Sequence, residues 1–306
     1  MSTSAGDAMR RLGNALNASE PQSADQIWEI VQLARHQDRP YPLDYIPRLF
    51  TDFEELRGDR LYGDDPAIVA GIARYHDEPI AVIGQQKGRD TQERTHRNFG
   101  MPGPEGYRKA MRVMAFAEKI GAPVVTLIDT PGAFPGADAE ERGQGGAIAT
   151  SIRTMLRLSV PTVAIVIGEG SSGGALAIGV ADRVMMLENS TYSVISPEGA
   201  SAILWRDASK SKLAAAAFQP TAANCYRWGI VESVIPEPEG GAHRDHDEAA
   251  KLLDRYLIRA VRELREIPDL ARRRQRHARF RRIGSHRELA LADSASVMSG
   301  QVEDLT

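Results

Sequence analysis

Apolar and polar positions follow two different periods along most of this chain. The runs Ile68 to Tyr75, Ile80 to Gly84, Val124 to Ile128, Thr162 to Ile167 and Arg183 to Leu187 are short, apolar and rich in β-branched residues, which predicts strands. Between them, Pro104 to Ile120 and Gly143 to Leu158 repeat apolar side chains at helical spacing. Strands that alternate with helices in this way predict an α/β protein.

The flanks read differently. Ile27, Ile30, Val31 and Leu33 recur at helical spacing and predict a short helix, whereas the stretch up to about Ser23 is weakly periodic and predicts a loose leader. The core ends near Val234, where a Pro/Gly linker, Pro236 to Gly241, precedes a one-sided apolar pattern over Asp247 to Arg265 that predicts a helix. The polar residues after Ser285 predict a mobile tail. These boundaries divide the chain into a leader (1–26), a main domain (27–241), a helical extension (242–284) and a tail (285–306).

Composition narrows the class only slightly. At 306 residues, 42% hydrophobic and 26% charged, the chain has enough apolar material for a large core, and a net charge of -3 offers no global attraction to nucleic acid or anionic lipid. No apolar run approaches a membrane span, and the N-terminal residues lack the apolar stretch of a secretory signal. A single cysteine, Cys225, provides neither a disulfide framework nor a thiolate metal site, so no metal is expected in this chain and a cytoplasmic setting fits.

Two segments carry candidate chemistry. Gly168 to Gly179, GEGSSGGALAIG, follows an apolar strand; its glycines let backbone approach a ligand, and a helix starting near Ala175 would aim unpaired N–H groups at the same place. Ile128 to Gly136, IDTPGAFPG, is a second rigid turn after a buried-looking strand. Each also fits a purely structural Pro/Gly turn. Neither matches a P-loop or a dinucleotide fingerprint, and the seven histidines and Cys225 form no nucleophile–base pair. Backbone N–H groups aimed at a developing oxyanion are then the economical source of catalysis.

Two basic segments stand out. Lys87, Arg89, Arg94, Arg97, Arg108, Lys109 and Arg112 fit a solvated helix and loop or an anion-binding surface. Arg272 to Arg282 has almost no aromatic residue for base stacking beyond Phe280, so nucleic acid is not an expected partner.

Several segments together, RPYPLDYI from Arg39, DDPAIVAGIAR from Asp64, QKGRDTQERTHRNFGMPGPEGYRKAMR from Gln86, IDTPGAFPGADAEERGQ from Ile128, IGEGSSGGALAIG from Ile167 and STYSVISPEGASAILWRDASK from Ser190, resemble the alpha subunit of the bacterial acetyl-CoA carboxylase carboxyltransferase. The resemblance covers about Ile27 to Gly284. It implies a crotonase-like ββα superhelix, here with an N-terminal helical leader and a C-terminal helical extension. The implied activity is carboxyl transfer from carboxybiotin to acetyl-CoA, giving malonyl-CoA for fatty acid synthesis.

On that resemblance, Gly173 and Gly174 supply the catalytic N–H groups, and Gly132, Ala133, Phe134, Gly170 and Ser171 line the carboxybiotin pocket. The implied partners are a zinc-containing beta subunit holding acetyl-CoA, the biotin carboxyl carrier protein, and the biotin carboxylase of the ATP-dependent holoenzyme, with two alpha and two beta subunits. Loss of carbon dioxide from carboxybiotin would leave a biotin enolate that deprotonates the acetyl methyl. The chain departs from the family pattern at Ser171, where glycine is usual, at Gly145-Gly146, where Ser-Glu is usual, and at Arg57, where histidine is common. Two other readings remain open at this level. A stand-alone crotonase-class acyl-CoA enzyme would use Glu169 or Glu198 as acid/base, and a non-catalytic partner of the beta subunit would do no chemistry.

Overall fold

The computed structural model describes residues 5–17 and 22–284. In chain order these form α1 (Ala5–Asn17), α2 (Ala24–Ala34), α3 (Pro42–Leu49), β1 (Thr51–Glu55), β2 (Ile68–Tyr75), β3 (Glu78–Gln85), α4 (Thr91–His96), α5 (Pro104–Ile120), β4 (Val124–Thr130), α6 (Ala137–Glu141) and α7 (Gln144–Arg157). Then follow β5 (Thr162–Ser171), α8 (Ser172–Leu176), β6 (Arg183–Leu187), β7 (Thr191–Ser193), α9 (Pro197–Trp205), α10 (Ser211–Phe218), α11 (Ala222–Arg227), β8 (Ser233–Ile235), α12 (His246–Glu266) and α13 (Asp269–Arg281).

One sheet organises them, in the order β1-β2-β3-β4-β5-β6-β8, with β7 paired to the far end of β5. The pairs β1–β2 and β2–β3 are antiparallel; from β3 through β8 every pairing along the sheet is parallel. Parallel strands need both faces covered, which explains their unbroken apolar character. Val124, Ile128, Ala164 and Val166 point to one core with Met114 of α5 and Met155 of α7, while Val125, Leu127, Val163 and Ile165 point to a second core with Tyr45 of α3 and Leu253 of α12. Residue-by-residue alternation thus feeds two cores from each strand.

Local signals set the element ends. Pro104 occupies the first turn of α5, where its missing N–H is no loss, and Gly121 stops the helix with a φ of +70°. Asp245 caps α12 by accepting the N–H of Glu248 at 2.9 Å.

Three stretches differ from the sequence reading. Where weak periodicity predicts a loose leader, Ala5–Asn17 is helical: Ala8 and Leu12 are buried, and Arg11 donates to the carbonyl of Glu237 at 3.1 Å. Ala8, Leu12 and Leu16 recur at helical spacing and pack into the two cores, in line with the helical leader that the family resemblance implies. The extension after Gly241 is no appendage, since Leu252, Leu253, Leu257 and Leu264 of α12 close the second core. The predicted mobile tail, 285–306, lies outside the described residues.

The third difference is the basic run from Arg272, which forms α13 and turns three arginines inward. Arg276, fully buried, holds both oxygens of Asp182 at 2.8 and 2.7 Å and donates to the carbonyls of Met155, Leu158 and Val160. Arg272 bonds the carbonyls of Leu264, Ile267 and Ser159, and Arg279 pairs with Glu232. The run therefore staples the C-terminal helix to the sheet. Removing one partner of such a buried pair strands the other charge, so Arg276→Met should lower the unfolding free energy by roughly 3 to 5 kcal/mol. Exposed Arg274→Ala should shift it by less than about 0.5 kcal/mol in the same urea titration. Equal, small effects would return the run to a solvated face.

Candidate functional site

The carboxyl ends of β3, β4 and β5 lie side by side, the place where parallel sheets present ligand sites. Strand β5 runs farther than its sequence suggests: all ten residues from Thr162 to Ser171 are buried, and the last three pair with β7. Gly170 and Ser171 are therefore strand residues and not part of a turn. Their absent or small side chains serve packing. A Cβ at Gly168 would lie 2.5 Å from the Asp129 carboxylate, and one at Gly170 would lie 2.9 Å from the Tyr192 ring. The Ser171 hydroxyl is buried and makes no hydrogen bond to protein.

The chain reverses at Ser172, an exposed residue with a φ of +57°, an unfavourable value for a residue with a side chain. Helix α8 starts there, so Gly173 and Gly174 occupy its first turn, where N–H groups have no acceptor within the helix. Gly174 faces the second turn: a Cβ there would sit 2.5 Å from both the Ala133 nitrogen and the Gly132 carbonyl carbon. The two turns predicted to share a site thus meet backbone to backbone.

Both turns are pinned. The Thr130 hydroxyl donates to the Gly132 carbonyl at 2.7 Å and accepts the Gly132 N–H at 3.1 Å, while Gly132 itself takes a φ of +149°. Buried Gln144 donates to the carbonyls of Phe134 and Pro102, both at 2.9 Å, and Phe134 returns its N–H to Pro102 at 3.0 Å. From β3, Gln85 donates to the carbonyl of Gly174 at 2.7 Å. Gly145 and Gly146 lie exposed in the first turn of α7 with no atom near enough to demand glycine.

Gly173 looks elsewhere. It borders a largely apolar cavity of about 500 Å³ whose walls include Leu176, Tyr192, Val194, Ile230 and Phe280. Gly132, Ala133 and Phe134 do not line this cavity; they buttress α8 from the other side. A Cβ on Gly173 would make only ordinary contact, 3.5 Å, with Ile148.

Behind the turns lies a chain of buried charge. Lys87 Nζ reaches Asp129 at 2.8 Å and Glu169 at 2.7 Å. Arg35 of α2 bonds Glu169 at 2.6 Å and grips both oxygens of Glu198 on α9 at 2.7 and 3.1 Å. Burial alone would raise the Glu169 carboxyl, yet Lys87 and Arg35 outweigh it and hold its pKa below the usual range. Burial prevails at Asp129, whose pKa is raised despite Lys87. Glu198 is likewise held low, Arg35 overcoming partial burial. Glu169 and Glu198, the acid/base candidates of a stand-alone acyl-CoA enzyme, are thus both engaged by cations.

The basic segment after β3 is spent internally and is not an open anion surface. Lys87 is in this chain of charge, Arg89 pairs with Asp44, Arg94 and Arg97 donate to the carbonyls of Gly88 and Pro66, Arg108 pairs with Asp59 and Glu105, and Lys109 with Asp64. Arg112 binds the carbonyls of Leu56, Arg57 and Gly58. Sequence reasoning passed over Asp129, Arg35, Gln85, Thr130 and Gln144. The available signal was a carboxylate inside an apolar strand, Asp129 within VVTLIDT, which demands a buried cation. Cys225 is buried, and burial pushes its thiol up to about 12, an unreactive state. Among the described residues no group of His, Cys, Asp and Glu is placed to hold a metal ion.

Comparison with known proteins places these features in a family. A family model described as acetyl co-enzyme A carboxylase carboxyltransferase-like matches residues 6–284. The chain is 54% identical over 256 residues to the acetyl-coenzyme A carboxylase carboxyl transferase subunit alpha of Geobacter sulfurreducens, covering 84% of this chain and 80% of that one. It is 57% identical to the protein of the same name from Anoxybacillus flavithermus, covering 84% and 79%. Among solved structures, the transcarboxylase 12S hexamer core superposes with a TM-score of 0.61 at 18% identity, covering 90% of this chain and 48% of that one. A chain of a Pseudomonas malonate decarboxylase hetero-tetramer in complex with coenzyme A gives 0.57 at 17%, covering 79% and 92%. These likenesses bear out the crotonase-like fold.

The Arg35 clamp makes a pH-dependent contribution of definite sign. Glu169 and Glu198 have folded pKa values below their unfolded ones, so the clamp stabilises above the unfolded value and is lost as pH falls through the folded one. Arg35→Met should therefore be less stable than the parent near neutral pH, with the gap narrowing below about pH 4, where an unfolded glutamate titrates. Urea unfolding across that range measures the gap; a gap independent of pH would mean that Arg35 acts through packing.

Proposed function

The chain belongs to the acetyl-CoA carboxylase carboxyltransferase family as an alpha subunit, and from that membership we propose that its α8 turn forms the carboxybiotin half of a site completed by the beta subunit. The observation that carries this reading is the contact of Gly174 with Gly132 and Ala133, which fixes α8 so that Gly173 borders the apolar cavity. Apolar walls with a few backbone donors suit a neutral bicyclic urea.

Carboxybiotin would bring the carboxyl group and, once that has left, a basic ureido group. The chain's own part is electrostatic. N–H groups in the first turn of α8 would be offered to a ureido oxygen as charge develops there, and the largely apolar walls would limit competing water. Gly132, Ala133 and Phe134 hold α8 in place, while Gly170 and Ser171 form the strand floor beneath the turn. Arg35 engages Glu169 and Glu198, so the proton of the acetyl methyl would be taken by the basic group that carboxybiotin supplies.

This reading brings with it a carrier protein that delivers biotin, a zinc-containing beta subunit holding acetyl-CoA, the biotin carboxylase of the ATP-dependent holoenzyme, an assembly of two alpha and two beta subunits, and a cytoplasmic place in fatty acid synthesis. The subunit name shared by the relatives supports a beta partner. Among the described residues no helix is long and apolar enough to cross a membrane.

The purified chain alone should form no malonyl-CoA and should gain activity when reconstituted with the beta subunit and biotinylated carrier. In that complex Gly173→Val should lower turnover by at least about 10²-fold, because its branched side chain would fill the space in front of the backbone donors and keep the ligand off them, a loss on the scale of one oxyanion donor. Assembly on gel filtration should be unchanged, because Gly173 has room for a Cβ. Gly174→Val is the poorer probe, since its Cβ would collide with backbone at 2.5 Å and unseat both turns. Near-normal turnover by an assembled Gly173→Val complex would remove the donor role from this turn.

A further inference from the structure

Helix α9 is amphipathic only in its first half. Pro197, Ala200 and Ser201 are buried, but the last turn carries Ile203 at 72%, Leu204 at 62% and Trp205 at 37% exposure. Helix α10, packed against α9, adds Leu213 at 54%, and Val194, just after β7, stands at 76%. Five large apolar side chains are thus open to solvent within Val194–Leu213, three of them consecutive at the end of α9. Single exposed apolar residues are ordinary, whereas a run of this density marks an interaction surface.

Two features tie the surface to the site. Val194 lines the cavity bordered by Gly173, as does Leu176, itself 38% exposed, and from Val194 the chain runs directly into α9. The base of α9 is also anchored to the site strand, because Arg35 links Glu198 to Glu169 at 2.7 and 2.6 Å. A body seated on α9 is therefore held in fixed register with Gly173.

We propose that the α9–α10 face, centred on Ile203, Leu204 and Trp205, is the docking surface for the beta subunit. This rests on the reading of the chain as half of a split carboxyltransferase. A partner that supplies the missing acyl-CoA half must stand at the rim of the cavity, and the residues at that rim and beyond it are the uncovered apolar ones. Tryptophan is among the residues that most often carry the energy of a protein interface, and Trp205 stands here beside Ile203 and Leu204.

The test uses the full chain co-expressed with the beta subunit, comparing the parent, the double variant Ile203→Asp/Leu204→Asp, and Leu270→Asp, which alters an exposed leucine on α13. Placing carboxylates on exposed positions should leave the melting temperature of the isolated chain within a few degrees of the parent. The double variant should bind the beta subunit at least 100-fold more weakly, and malonyl-CoA formation should fall in proportion and recover with excess beta subunit. Leu270→Asp should bind normally. Unchanged affinity of the double variant in an active parent system would overturn the surface assignment while leaving the functional reading intact. Loss of self-association by the isolated chain, with beta binding unchanged, would overturn it in favour of a second copy. A parent complex without malonyl-CoA activity would bring down the functional reading and this proposal with it.

Discussion

The approach of one backbone to another at Gly174 is the constraint on which the rest of the site depends. At that residue α8 and the Gly132–Phe134 turn come so close that no side chain fits between them. Such contact is possible only because β4 and β5 are adjacent, parallel and end at the same level, with Thr130 paired to Gly170. Everything nearby serves that alignment. Thr130 and Gln144 fix one turn, Gln85 fixes the other, and Gly168 leaves room for the carboxylate of Asp129.

Buried charge does a related task. A strand that carries Asp129 and a strand that carries Glu169 cannot lie side by side in an apolar core unless a cation joins them, and Lys87 does so. Arg35 extends the connection to α2 and α9, so elements distant in sequence share one electrostatic anchor. The outcome is a rigid platform. At its edge, α9 and α10 leave Ile203, Leu204 and Leu213 exposed.

Much of this was legible in the sequence, for reasons that differ by element. Ile68–Tyr75 and Pro104–Ile120 occur in the structure at the positions that periodicity implies, because an apolar run or a helical stripe bounded by Pro and Gly has few alternatives. The pairing of the two glycine turns was also foreseeable once both were seen to follow buried strands. Strand β5 was read too short because Gly168, Glu169 and Gly170 look like a turn, although tertiary packing holds them extended. The arginines of the two basic segments were misjudged for a more general reason. A cation is assigned to solvent by default, and only the fold reveals that Asp182 and Asp59 wait for it in the interior. Helix α1 was legible too, since Ala8, Leu12 and Leu16 mark one face, although the polar residues around them suggest a loose leader.

The staple between α13 and Asp182 has a consequence for the order in which the protein is made. Asp182 leaves the ribosome 94 residues ahead of Arg276, the cation that fully neutralises it. Until then the carbonyls of Leu158 and Val160, just before β5, lack the guanidinium that binds them, and Asp182 keeps only its hydrogen bonds from Thr162. Closure of this end of the sheet therefore waits on α13, which carries the cation that completes it, and couples the last helix made to strands made long before it.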